Sequence, residues 1–316
     1  MVDESTAESA TEIDDIDQMQ QQMADRWRWV LLLVIILAGL AIGYLLSRAL
    51  IHRPTIAIVR LYDQIDYGTS PYFFAPLQQA SERDDIAAVV ILVDSPGGYS
   101  NISEQMFYAV RDVREKKPVV VLVEGTSASG SYYASVGANY IIALPSADIG
   151  SIGVIAELPT DTPPDESIYA TGPYKGGGNP SNAEYIRDIE TIKQVFLANV
   201  YNQRTYTLAH MHNPSRAKVL PDRETIATGQ VWIAPRAYEM GLIDAIGSDN
   251  DAFKKAAELA GISHYVLEDL TAEFLGYDGT YIGSRGPQRN PPRNDAARPV
   301  PWNQLDRAFP TPTPMR

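Results

Sequence analysis

Two stretches of this chain hold the residues best suited to chemistry. Residues 119–123 form an apolar, β-branched run that reads as a buried strand. The small residues Gly125, Thr126, Ser127, Ala128, Ser129 and Gly130 follow it and predict a sharp turn into a helix. Such a turn presents Ser129 at a helix N-terminus, where unpaired N–H groups and the helix dipole favour negative charge. A strained strand-turn-helix with serine at its tip is one way to expose a nucleophile. Serine and glycine are also ordinary helix caps, so the turn alone leaves both roles open. A second apolar strand, residues 86–93, runs into Asp94, Ser95, Pro96, Gly97 and Gly98. Paired glycines let a backbone N–H approach a ligand closely, as an oxyanion hole requires, although a bare Pro-Gly-Gly is equally a tight turn.

Taken with ASGSYY at 128–133 and GSIGV at 150–154, the DSPGG run resembles the signal peptide peptidase A family of serine proteases. These are relatives of the Clp-type protease within the crotonase-like fold, and the resemblance spans residues 55–247. It implies an α/β fold of stacked β-β-α units and a Ser/Lys dyad. In that scheme Ser129 attacks the peptide carbonyl, Lys175 is the general base, and Ser151 orients the lysine amine. The Gly98 and Gly130 amides form the oxyanion hole, with neither metal nor organic cofactor. It also implies a homo-oligomer, with the lysine in some members coming from a neighbouring subunit, and peptide substrates such as remnant signal peptides or other membrane peptides. Two positions depart from the family pattern: Ser131 stands where a second glycine is usual, and Gly176 stands where an acid usually follows the lysine. The segment linking Ser151 to Lys175 is also shorter than the family's.

A serine hydroxyl needs a base within hydrogen-bond reach. His52, His210, His212 and His264 sit in no motif, and two residues apart on a helix His210 and His212 diverge too far to share a metal. Lysine serves as the base only if burial lowers its pKa until a neutral amine is populated. Lys116, Lys117, Lys193, Lys218, Lys254 and Lys255 fall on predicted helices or in polar surroundings, whereas Lys175 lies outside a regular helix, between Tyr174 and three glycines.

The elements that must position these groups alternate. Strands are predicted at 55–61, 86–93, 119–123 and 140–144, with helices at 71–83 and 102–116 between the first three, which argues for α/β layering with parallel strands. A long helix follows at 183–212, shorter ones at 222–227, 235–240 and 249–259, and a last strand at 264–267.

Residues 29–47 carry no charge and are long enough to cross most of a bilayer core. This predicts one transmembrane helix within 29–51; with no small-x-small site clearly after it, the run reads as an uncleaved anchor. Arg26 and Arg28 on one side balance Arg48 and Arg53 on the other, so charge does not set orientation. The resemblance places the catalytic domain outside the cytoplasm, on a single-pass protein of the cell membrane. The expected organisation is an acidic flexible tail at 1–25, the anchor, a protease domain at 54–276, and a disordered Pro- and Arg-rich tail at 277–316.

A net charge of −13 with an acidic body argues against nucleic acid as a partner. The absence of cysteine excludes disulfides, thiolate metal sites and a cysteine nucleophile. Two other readings compete with the protease: a non-proteolytic scaffold that kept the fold, and a crotonase-type acyl-CoA enzyme using the Gly98 and Gly130 amides on a thioester.

Overall fold

The computed structural model describes residues 26–44, 53–157, 171, 181–210 and 219–280. The chain divides into two units, Met1–Arg53 and Pro54–Arg316. In the first, helix α1 covers Arg26–Tyr44, with mean hydropathy 2.0, no charge after Arg28 and side chains exposed throughout. At its 19 residues it is about 28 Å long, enough to cross most of a bilayer's hydrocarbon core. The expected tail at 1–25, residues 281–316 of the tail expected at 277–316, and the last residues of the expected span lie outside the described residues, while the Gly279 carbonyl accepts the Asp269 N–H and Thr280 bridges to Glu268.

The second unit is the α/β body. Its strands are β1 (Thr55–Tyr62), β2 (Ile86–Ser95), β3 (Val119–Ala128), β4 (Tyr140–Ala143), β5 (Asp148–Gly150), β6 (Val231–Ile233), β7 (Ala245–Ile246) and β8 (Val266–Asp269). Its helices are α2 (Pro71–Glu82), α3 (Ser100–Arg114), α4 (Gly130–Ser135), α5 (Asn182–Ala209), α6 (Arg223–Ile226), α7 (Ala234–Glu239), α8 (Asp249–Ala260) and α9 (Leu270–Phe274). The sheet order is β6-β5-β3-β2-β1-β8, with β4 on β3 and β7 on β4. Every pairing is parallel except β5 with β6.

The central strands read as unbroken apolar runs because both faces are covered. Ala57, Val59, Val89, Ile91, Val119 and Val121 point to one side, under α2, α3 and α4, while Ile56, Ile58, Val90, Leu92, Val120 and Leu122 point to the other, under α8. This is the α/β class the alternation predicted, and the helix and strand positions match closely. The short strands β5, β6 and β7 and helix α9 were not foreseen, since two to five residues are too few to show a period.

One expectation changes in a way that matters for the site. The small residues after Val123 were read as a broad turn, yet β3 continues through Ala128. Val120–Val123 pair with β4, and the strand then changes neighbours so that Thr126, Ser127 and Ala128 pair with Asp148, Ile149 and Gly150. Where the β2–β3 register shifts, the Thr126 N–H donates to Asp94 Oδ1 at 2.9 Å. The reversal is thereby confined to Ser129.

Helix α5 is fixed to the body by a fully buried ion pair. Arg204 Nη2 and Nη1 reach the two carboxylate oxygens of Asp244 at 2.7 and 3.0 Å, and Arg204 Nε donates to the Gly241 carbonyl. The Ile141 N–H of β4 donates to Asp244 Oδ2 at 2.8 Å, so the carboxylate also holds the sheet. Removing one partner strands the other charge in the interior, at a typical cost of 3–5 kcal/mol. Asp244→Ala is therefore expected to lose about 4 kcal/mol of unfolding free energy in a urea titration, and a loss below about 1 kcal/mol would show the pair to be dispensable.

Candidate active site

Ser129 is the pivot between β3 and α4, with φ 54° and ψ −121°. A non-glycine residue at positive φ costs about 1–3 kcal/mol and persists only where its surroundings over-determine it. Here both flanking peptide groups are held: the Ser129 N–H donates to the Gly150 carbonyl at 2.8 Å, and its carbonyl accepts the Tyr133 N–H at 3.0 Å. The half-buried side chain stands at the apex of the turn and lines a cleft of about 410 Å³.

The Pro-Gly-Gly turn packs against this apex. Gly97 has φ 93°, and a Cβ there would lie 2.6 Å from the Gly130 nitrogen and 3.0 Å from Ser129 Cβ. A Cβ on Gly98 would strike the Ile65 carbonyl oxygen at 2.0 Å, so both positions demand glycine for close approach. Ile65 donates its N–H to the Gly97 carbonyl and accepts the Tyr99 N–H. In extended backbone this turns the Gly98 N–H to the opposite side, toward the cleft it lines. The Cβ position of Gly130 is 3.4 Å from the Gly98 nitrogen, so the two amides share one small volume beside Ser129. Because the Ser129 N–H is committed to Gly150, the Gly98 and Gly130 amides are the groups suited to receive an oxyanion here.

Ser151 follows Gly150, whose partner across the ladder is Ala128. The next residue on each strand is thus one of the two serines. Ser151 also has positive φ, 51°, and its N–H donates to the Gln230 carbonyl at 2.8 Å. The antiparallel β6, entering after Gln230, is what pins this loop, with Trp232 packed over Gly150. The structure therefore brings together Ser129, Gly98, Gly130 and Ser151. Lys175 lies outside the described residues.

Most other bases among the described residues are engaged elsewhere. His210 Nδ1 meets the Tyr206 carbonyl and His264 Nδ1 the Ser263 hydroxyl; His52 and His212 lie outside the described residues. Lys116 bonds Ser81, Lys193 pairs with Glu190, and Lys255 with Glu258. Burial pushes the Lys117 ammonium down, but it donates to the Ala80 and Arg83 carbonyls and does not line the cleft.

Three features of the site were not foreseen. The first is the wall formed by Ile192, Val195 and Phe196 on α5. Its sequence signal was the apolar spacing of that helix, but the same spacing marks any core-facing helix. The second is Tyr133, whose ring stacks between Phe107 and Phe196 at 4.9 and 4.6 Å and ties α3, α4 and α5 together. The third is the work of Ser131. Its fully buried hydroxyl accepts the Ala128 N–H at 2.8 Å and lies 2.6 Å from the Ser95 carbonyl, to which it donates. The hydroxyl in place of the usual glycine is thus a brace between the end of β2 and the residue before the nucleophile candidate. Ser131→Ala removes the buried hydroxyl that bonds both of these backbone groups, at a cost of about 1–3 kcal/mol. We expect a fall of about 2 kcal/mol or more in chemical denaturation, and an unchanged midpoint would show that the brace carries no load.

Comparison with known proteins places this chain. Residues 111–263 match peptidase family S49. A candidate protease of Methanocaldococcus jannaschii is 30% identical over 65% of this chain and 70% of its own length. Protease 4 of Salmonella typhi is 32% identical over 58% of this chain, but that match spans only 30% of the relative. A candidate signal peptide peptidase of Enterococcus faecium is 25% identical over 67% of this chain and 62% of its own. With a serine at a strained apex, two amides beside it and these relatives, the chain belongs to peptidase family S49.

Proposed function

We propose that this protein is a membrane-anchored serine endopeptidase that hydrolyses membrane-associated peptides, remnant signal peptides among them, through a Ser129/Lys175 dyad. The observation that carries the reading is the convergence of the Ser129 apex with the Gly98 and Gly130 amides at one cleft. Ser129 Oγ attacks the scissile carbonyl carbon while the neutral Lys175 amine takes the hydroxyl proton. The carbonyl oxygen becomes an oxyanion held by the two amides, which lie where charge develops. Collapse expels the amine, protonated by Lys175, and leaves an acyl-enzyme. Water, deprotonated by the same lysine, then releases the acid and restores Ser129.

Ser151 is the hydroxyl assigned to orient the lysine, supported by its place beside Ser129 at the end of β5. Helix α1 is assigned to the bilayer as a single-pass anchor with the catalytic domain outside the cytoplasm. The domain limits 54–276, and a homo-oligomer with Lys175 supplied from the same or a neighbouring subunit, belong to the same proposal. The signal peptide peptidase name of one relative supports the substrate class.

Ser129→Ala and Lys175→Ala should each reduce cleavage of a fluorogenic peptide by the detergent-solubilised full chain by about 10,000-fold, with unchanged circular dichroism. A fluorophosphonate should label the wild type at Ser129 alone. Full activity in either folded variant would rule out the dyad.

A further inference from the structure

The cleft beside Ser129 is lined almost wholly by neutral groups, with Tyr133, Ile192 and Val195 among its apolar walls. Among the described residues that line it, one carries a charge, Glu104 of α3. Glu104 is half-buried, one turn before Phe107, whose ring stacks on Tyr133. The Asn199 amide donates to the Tyr133 hydroxyl oxygen at 2.6 Å, which leaves the phenol's own hydrogen to face a neighbouring acceptor. Burial first, and then the Glu104 carboxylate beside it, push Tyr133 up to about 12, so it stays a neutral donor. The carboxylate thus sits on a rigid aromatic stack fixed from three helices. A carboxylate lining a cleft of apolar walls is a ready partner for a cation that enters it, because a charge-assisted hydrogen bond is stronger than a neutral one.

Resting on the endopeptidase reading above, we infer that Glu104 is a specificity-determining residue that selects a lysine or arginine at the position contributing the scissile carbonyl. The aliphatic stem of such a side chain covers Ile192 and Val195 while its charged head reaches the carboxylate. Acidic side chains are repelled, and uncharged ones forgo the ion pair. The cleft therefore fits peptides in which a basic residue adjoins an apolar run. The boundary between the charged and apolar regions of a secretory signal peptide has that chemistry. A net charge of −13 further favours encounter with basic peptides.

The test uses the full chain in detergent and three fluorogenic peptides that differ only in lysine, norleucine or glutamate at that position. Norleucine keeps the stem and removes the charge. The wild type should cleave the lysine peptide with kcat/KM about tenfold above norleucine and further above glutamate. Glu104→Gln should bring the lysine-to-norleucine ratio near one, Glu104→Asp should retain most of it, and Glu104→Lys should favour glutamate. A wild-type ratio near one, or a ratio unmoved by Glu104→Gln, overturns the inference. The same peptides bound to the Ser129→Ala form and measured by calorimetry separate the two claims. If the wild type cleaves nothing, the endopeptidase reading falls, while tenfold tighter binding of the lysine peptide, lost in Ser129→Ala/Glu104→Gln, still upholds the subsite. Equal binding of all three sinks it.

Discussion

Everything at the candidate site depends on how the reversal of the chain at Ser129 is held. A residue at φ 54° relaxes unless its neighbours forbid it. The restraints come from two strands and a helix at once. β5 accepts the Ser129 amide through Gly150, the end of β2 is tied through Ser131 to the Ala128 amide, and the first turn of α4 fixes the Ser129 carbonyl. None of these bonds is strong by itself, since a net hydrogen bond contributes about 1 kcal/mol. They act together because the parallel register sets Ser95, Ser127 and Ala128 beside their partners before the turn begins.

The switch of β3 from β4 to β5 is what makes that register possible. A single neighbour along the whole strand would put a continuous edge beside Ser129. The change of partner instead brings the short β5, with its own left-handed pair Gly150 and Ser151, to the apex. β6 closes the far side antiparallel, and Trp232 fills the space that a side chain at position 150 would need. The segment around residues 228–233 therefore has a positioning role: it is the outer wall that keeps the Ser151 loop in place.

The cleft's other wall is long helix α5, and its attachment lies well away from the chemistry. The Arg204–Asp244 pair and the Phe107–Tyr133–Phe196 stack fix its C-terminal half. Its N-terminal half leaves Ile192 and Val195, which line the cleft, substantially exposed. An apolar rim of this kind suits extended chains with apolar side chains.

Residue types and their order made much of this legible. The apolar runs announced the buried parallel strands, the Gly97–Gly98 pair and Ser129 announced a backbone-rich serine site, and the uncharged run announced α1, because each signal is local in the chain. What the sequence could not decide was set by contacts between distant residues. That the broad small-residue turn is really strand up to Ala128 depends on pairing with β5, twenty residues later. That Ser131 is a brace depends on the Ser95 carbonyl, and that Glu104 and α5 share a cleft with Ser129 depends on packing of three helices. Hydroxyls and carboxylates look alike in a sequence whatever they face, and only the folded chain supplies the partner that gives each its task.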